Sequence, residues 1–198
     1  MKKYKINEVF GSIQGEGHLV GSYAVFVRFS GCNLECTKQS HGFDCDTDHD
    51  CFVEMTIDEI ENWIDLIILP PGGLIILTGG EPLLQVDDVL FGRLKDRNWR
   101  VAVETNGTIP VRFSFDWLTV SPKRGSVIRQ KKADEVKIVL GKDQSNWDFG
   151  IEANHYFVSP AFDGDDLDCD VLNWCIAQVQ DTPGWRLGVQ THKLLGIK

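Results

Sequence analysis

The chain is short of basic residues. It has 20 Lys and Arg against 29 Asp and Glu in 198 residues, a net charge of −9. A nucleic-acid-binding surface usually carries a basic stripe, so that class is disfavoured. The local patch SPKRGSVIRQKK reads as a solvated charged face. Long apolar runs are missing as well. The longest, LIILPPGGLIIL, is broken by Pro70, Pro71, Gly72 and Gly73, and cannot span a bilayer as a helix. The opening MKKYKINEVFGSIQGEG has lysines with no apolar run behind them, so it does not read as a secretory signal. There is no internal repeat and no low-complexity tract. The expectation is a cytoplasmic chain that engages neither membrane nor nucleic acid, with its six cysteines reduced. In that compartment a tight cysteine cluster points to metal or redox chemistry more often than to a disulfide.

What is present suits one globular domain over residues 1–198, long enough to bury a sizeable core. Apolar, β-rich runs at 23–29, 74–78, 100–105, 117–121, 135–140, 155–159 and 186–190 predict strands. Thr56 with Glu59 forms a capping-box pattern, and Ile57, Ile60, Ile64 and Ile67 follow at helical spacing. Two more helices are predicted over about 85–96 and 170–180. Strands outnumber helices, and the chain is shorter than the ~250 residues of a full eightfold barrel. The predicted fold is therefore α/β: a partial, splayed (β/α) barrel. The motifs TGGEP, ETNG, SPK, SPAFDG and QTHK all follow predicted strands. In a parallel sheet the carboxyl ends of the strands share one rim, where active sites collect.

Cys32, Cys36 and Cys45 follow the first predicted strand, with three and then eight residues between them. A structural zinc would need a fourth ligand, and Cys51, His41 or His49 is near enough in sequence. An iron–sulfur cluster on three cysteines would leave one iron open for a substrate or cofactor. Spacing alone does not separate the two. Cys169 and Cys175 fall in a predicted helix and read as core or helix-surface thiols.

The motifs FGSIQGEG (10–17), FVRFSGCNLEC (26–36), CDTD (45–48), TGGEP, ETNG, SPK, VKIV (136–139) and QTHKLLGI (190–197) occur in this order over nearly the whole chain. In this combination the chain resembles the radical S-adenosylmethionine (SAM) enzymes. Within them it resembles the 7-carboxy-7-deazaguanine synthase family, the ring-contracting lyases of queuosine and 7-deazapurine biosynthesis. The superfamily usually has two residues between the second and third cysteines, so 37–44 reads as an insertion, with Phe43 set one position further back than the usual aromatic residue.

The resemblance implies a [4Fe–4S] cluster on Cys32, Cys36 and Cys45. SAM would occupy the open iron and yield a 5′-deoxyadenosyl radical. Gly79, Gly80, Glu104, Asn106, Ser121, Pro122 and Lys123 would contact SAM, with Ser159, Pro160 and Asp163 beside its adenine. The implied substrate is 6-carboxy-5,6,7,8-tetrahydropterin. Arg28 would grip its carboxylate through a two-pronged guanidinium. Ile13, Gln14, Gly15, Glu16, Thr78 and His192 would frame the pterin, with Lys198 contributing a terminal carboxylate. Thr47 is matched to a Mg²⁺ ligand. The resemblance further implies a homodimer and a one-electron reductant such as flavodoxin or ferredoxin. The rival readings are a radical SAM activase of a glycyl-radical enzyme and a zinc-stabilised binding domain.

Overall fold

The computed structural model describes the chain apart from residues 46, 49, 142–148, 164 and 165 and the side chain of Asp163. In chain order the elements are β1 (Tyr4–Ile13), β2 (Tyr23–Phe29), α1 (Lys38–His41), β3 (Val53–Met55), α2 (Ile57–Leu66), β4 (Leu74–Gly79) and α3 (Asp88–Asp96). Then come β5 (Arg100–Thr105), β6 (Trp117–Val120), β7 (Lys132–Leu140), β8 (Glu152–Pro160), β9 (Phe162–Asp163), β10 (Asp166–Leu167), α4 (Cys169–Asp181), β11 (Trp185–Leu187) and α5 (Thr191–Leu195). Nine strands make one sheet in the order β11-β8-β7-β6-β5-β4-β2-β1-β3, and β9 pairs with β10 apart from it. Every neighbouring pair from β2 to β11 is parallel, while β1 runs antiparallel to β2 and β3 antiparallel to β1. The order begins and ends on different strands, so the sheet is open. This is the splayed barrel with more strands than helices.

The period of two along each strand sorts the side chains onto two faces. Val25, Val27 and Phe29 of β2, Ile75 and Leu77 of β4, and Val101 and Val103 of β5 point outward. They pack on Ile57, Ile60 and Ile64 of α2 and Leu90 and Leu94 of α3. Each such side chain stabilises the fold by about 1.5–3 kcal/mol when fully buried. Ala24, Phe26, Leu74, Ile76 and Ala102 point inward and make an apolar floor with Phe10, Leu19 and Trp117. Beyond that floor, on the same inward face, the strands carry Arg28, Thr78, Glu104 and Lys137 instead. The same alternation thus yields a dry base and a polar upper layer. Across the sheet, α4 seats Val171 and Cys175 on Val136, Ile138 and Val158, so Cys175 is a core thiol while Cys169 is exposed.

Three expectations change. The first strand of the sheet is β1, not the run at 23–29. Its buried alternation (Tyr4, Ile6) is interrupted by a register shift between Ile6 and Glu8, which hides the period of two. The helix expected over 85–96 begins only at Asp88, because the Asp87 carboxylate caps it by accepting from Leu90 N at 2.9 Å. A 3-10 turn at Pro82–Leu84 precedes it. The last strand ends at Leu187 rather than 190, and QTHK opens α5 instead of trailing a strand. The capping box at Thr56 forms as expected, with Thr56 N donating to Glu59 Oε2 at 2.7 Å.

Candidate active site

All three cysteines of the loop after β2 line one cavity of about 220 Å³ at the carboxyl ends of the parallel strands. The eight-residue gap does not separate Cys36 from Cys45. Residues 37–44 fold as a separate capped turn: Thr37 and Ser40 cap α1 reciprocally, and Gly42 ends it in a left-handed conformation at φ 76°. Cys45 N then donates to Cys36 O at 3.2 Å and closes the neck of the insertion. The turn leans on the end of β7, where a Cβ on Gly141 would stand 2.5 Å from the Gly42 backbone. Phe43 reaches the cavity from this insertion. Leu34 N donates to Cys32 Sγ at 3.4 Å and Asn106 Nδ2 approaches the same sulfur at 3.8 Å. Donors of this kind stabilise a thiolate that ligates metal. None of the six cysteines is in a disulfide.

Among the described residues no three His, Cys, Asp or Glu side chains converge as ligands of a single ion. Convergence is what one zinc would need. Cysteines that bind different irons of a cluster have no such requirement. Cys51 lies outside the cavity and is exposed, and His41 is buried against Ser40 Oγ at 2.7 Å. His49 is outside the described residues.

The TGGEP segment ties the cysteine loop to its neighbours. Gly79 has φ 108°, and a Cβ there would stand 2.3 Å from Phe29 O, so only glycine fits. Gly80 N donates to Phe29 O at 2.9 Å and Glu81 N to Gly31 O at 3.0 Å. Glu81 is fully buried. Its carboxylate accepts from Thr105 Oγ1 at 2.8 and 2.9 Å, from Asn106 N at 2.8 Å and from Leu83 N at 3.0 Å. Burial raises its pKa, and these donors together with Lys123 offset only part of the rise. Glu81 thereby holds the ETNG turn, and Asn106 with it, against the cysteine loop.

The inner end of the cavity is a buried acid–amide–ammonium frame. Lys137 Nζ is ion-paired to Glu16 and lies 3.4 Å from Glu104 Oε2. Gln14 Nε2 donates to Glu104 Oε1 at 2.9 Å, and Gln190 Nε2 donates to Glu16. Burial alone would raise Glu16, but the Lys137 charge, the hydrogen bonds from Lys137 and Gln190, and His192 hold it at about 2. Burial would likewise lower Lys137, yet the carboxylates of Glu104, Glu16 and Glu135 raise it well above the ordinary lysine range. The two ends of the chain meet here. Thr191 N and Oγ1 donate to Gly15 O at 3.0 and 2.9 Å, and a Cβ on Gly15 would stand 2.2 Å from His192 Nδ1.

Arg28 sits opposite Glu8 on β1 and Thr78 on β4. Its Nε is 3.1 Å from Glu8 Oε1, close enough for an ion pair. The atom is nevertheless buried without a hydrogen bond, because the contact is not aligned for donation. Lys198 closes this side, pairing with Glu8 through its ammonium and accepting from Ser12 Oγ through its backbone oxygen.

Of the residues singled out from the sequence, Ile13, Gln14, Gly15, Glu16, Arg28, Thr78, His192 and Lys198 line this cavity. So do Gly79, Gly80, Glu104, Asn106, Ser121, Lys123, Cys32, Cys36, Cys45 and Thr47. Pro122, Ser159 and Pro160 do not. β8 continues through Pro160, so Ser159 pairs with Val139 and faces Gly188, and Ala161 and Phe162 reach the cavity in their place. Asp163 lies in β9, and its side chain is outside what the structure describes. Lys137, Gln190, Glu81 and Glu8 were not singled out. A charge within an apolar strand, the signal that marked Arg28, marks Lys137 equally well.

The chain is 44% identical to the 7-carboxy-7-deazaguanine synthase of Bacteroides thetaiotaomicron over 195 residues, covering 98% of each. It is 34% identical to the 7-carboxy-7-deazaguanine synthase of Caulobacter vibrioides over 212 residues, covering 98% of this chain and 99% of that one. The crystal structure of QueE from Escherichia coli shares the fold at a TM-score of 0.69 and 24% identity, covering 95% of this chain and 94% of that one. No family model matches the sequence. Identity of this extent over the whole length of both chains means that the chain belongs to the 7-carboxy-7-deazaguanine synthase family.

Proposed function

We propose that this chain is a radical SAM lyase that converts 6-carboxy-5,6,7,8-tetrahydropterin to 7-carboxy-7-deazaguanine with loss of ammonia. The observation that carries the reading is one cavity with two chemically different ends. Three cysteines stand at its mouth, and a buried frame of Glu16, Glu104, Lys137, Gln14 and Gln190 stands at its base. Thiols outside any disulfide, with Cys32 Sγ receiving an N–H, suit a [4Fe–4S] cluster held by Cys32, Cys36 and Cys45. With SAM bound, that cluster supplies the one-electron chemistry that no side chain here provides. Asn106, Ser121 and Lys123 would hold SAM through their polar atoms, and Gly80 would give it close backbone approach.

At the base, Arg28 supports a carboxylate, since its buried Nε has a hydrogen to give and no acceptor aligned to take it. Glu16 and Glu104 accept from N–H groups of the pterin edge, and Lys137 pairs with both and holds Glu16 ionised. Thr47 is buried on the cavity wall and offers a hard oxygen to Mg²⁺ beside substrate oxygens. A glycyl-radical activase must admit a peptide segment, which this charged, narrow base does not favour. We further propose one functional unit over 1–198, a homodimer, a flavodoxin- or ferredoxin-type reductant, and a cytoplasmic location. No helix among the described residues is long and apolar enough to cross a membrane.

The test is anaerobic reconstitution with iron and sulfide, then incubation with substrate, SAM and a reductant. We expect a brown protein that forms 7-carboxy-7-deazaguanine, and Cys32→Ala and Cys45→Ala variants that lose both cluster and turnover. Cys169→Ala should lose neither. Stoichiometric zinc in a colourless, inactive protein would replace this reading with the zinc-binding one.

A further inference from the structure

We propose that Glu135 and one water molecule form a proton relay that runs from the solvent side at His18 to the carboxylates of the substrate frame. The proposal deepens the functional reading above and rests on it. Glu135 lies on β7 two residues before Lys137, so both side chains enter the barrel. It is 3% exposed, yet it does not line the large cavity and cannot touch substrate there. Its Oε2 accepts from His18 N at 2.6 Å and its Oε1 from Thr119 Oγ1 at 3.4 Å. A Cβ on Gly17 would stand 2.2 Å from Oε1, so the loop between β1 and β2 folds directly over the carboxyl.

Between Glu135 and the large cavity lies a second, small one with room for about one water. Gln14, Glu16, Glu104, Thr119 and Glu135 offer it polar partners. Glu16 and Glu104 also line the large cavity, so a water here joins Glu135 to the substrate frame. The groups facing Glu135 are His18 and Glu16 from the loop after β1, Glu104 from β5, Thr119 from β6 and Lys137 from its own strand. His155 of β8 stacks on His18 at 4.1 Å, and Arg186 lies 3.1 Å beyond His155. Three carboxyls therefore share one ammonium, and full ionisation would bury two uncompensated charges. Burial pushes the Glu135 carboxyl above its usual range; the His18 N–H and Lys137 offset part of this, and the Glu104 charge adds to it.

Loss of ammonia requires the departing nitrogen to carry a proton away with the electron pair of its C–N bond. The relay supplies that proton. It leaves the Glu135 carboxyl, crosses the water to the Glu104 carboxylate and passes from there to the departing nitrogen, which leaves as ammonium with the electron pair of its C–N bond while Glu104 returns to a carboxylate. Glu135 is then ionised and takes one proton back from solvent past His18. Each cycle moves one proton inward and no electrons.

Glu135→Gln keeps the size and an acceptor for His18 N but carries no transferable carboxyl proton. Infrared spectra of the reconstituted chain, taken before substrate is added, should contain a protonated-carboxyl carbonyl band that shifts in D₂O. Glu135→Gln should lose the Glu135 share of that band, while any share from Glu81, also raised by burial, remains. In turnover the variant should lose roughly 100-fold in kcat, the scale of one proton-transfer group, with KM held within about twofold. The wild-type kcat should decline on the alkaline side as Glu135 ionises, and the variant should lose that decline. A purely structural role would not remove that limb. Should Glu135→Gln fail to fold, Thr119→Val, which removes one hydrogen bond to Glu135 and one partner of the water, should lower kcat with KM unchanged. A band of undiminished intensity in Glu135→Gln, or a wild-type kcat and pH profile in either variant, overturns the relay. A wild-type chain that shows the band and makes no 7-carboxy-7-deazaguanine counts against the functional reading alone.

Discussion

Replacing Lys137 with methionine keeps a four-atom, flexible side chain and deletes the one ammonium among the acids of the frame. Lys137 is 6% exposed at its side chain and Glu16 13%, so water screens the pair weakly. Glu16 moves from an ordinary value of 4.5 to about 2. At about 1.4 kcal/mol per tenfold change in proton affinity, this is worth ~3 kcal/mol of folding stability at neutral pH. Breaking a buried ion pair by removing one partner independently suggests about 3–5 kcal/mol. Lys137→Met should therefore lower Tm by roughly 6–12 °C in a chain of this size.

The sign with pH follows from the direction of the shift. A depressed carboxylate stabilises the fold fully above its unfolded value near 4.5 and loses that contribution as pH falls toward about 2. In Lys137→Met only the Gln190 hydrogen bond and His192 still oppose the effect of burial on Glu16, so the variant gains relative stability as acid protonates it. The gap between the two proteins should be widest near neutrality and shrink below about pH 4.5. Urea unfolding followed by tryptophan fluorescence at several pH values measures that gap. A neutral-pH difference below about 1 kcal/mol, or one that does not vary with pH, would mean that the Lys137–Glu16 pair contributes little to the fold.

Cys36→Ala should abolish cluster binding and Cys51→Ala should not, because Cys36 lines the cavity and the Cys45 N–H to Cys36 O bond brings it beside the third ligand. Iron and sulfide analysis decides it, and loss in the Cys51 variant alone would reverse the assignment. Arg28→Lys should raise KM by about tenfold, ~1.4 kcal/mol, while SAM cleavage persists; an unchanged KM would place the substrate carboxylate elsewhere. Gly79→Ala should cost more than about 2 kcal/mol, since it forces both a left-handed alanine and a clash with Phe29 O. A wild-type urea midpoint would show that the strand end relaxes freely.

Residues close together in sequence made much of this chain legible. Apolar β-rich runs located β2, β4, β5, β6, β7 and β8, because parallel strands repeat a local pattern between helices with local caps. The motifs at their ends marked the rim, since carboxyl ends of parallel strands share one side. The strand alternation of β1 was not legible, because a register shift near Glu8 breaks the period. Two further matters were decided by tertiary structure alone. Whether an eight-residue gap separates two ligands depends on where the insertion's ends meet, and here a single backbone hydrogen bond joins them. Which acids become a buried frame depends on bringing Glu16, Glu104, Glu135 and Lys137 from two strands and a loop into one desolvated layer. Family membership and the rim motifs could be read from the order of residues along the chain. Burial and charge pairing across distant strands set the proton affinities of Glu16 and Glu135 and which side chains line the cavity, because desolvation is a property of the packed barrel and not of any local stretch.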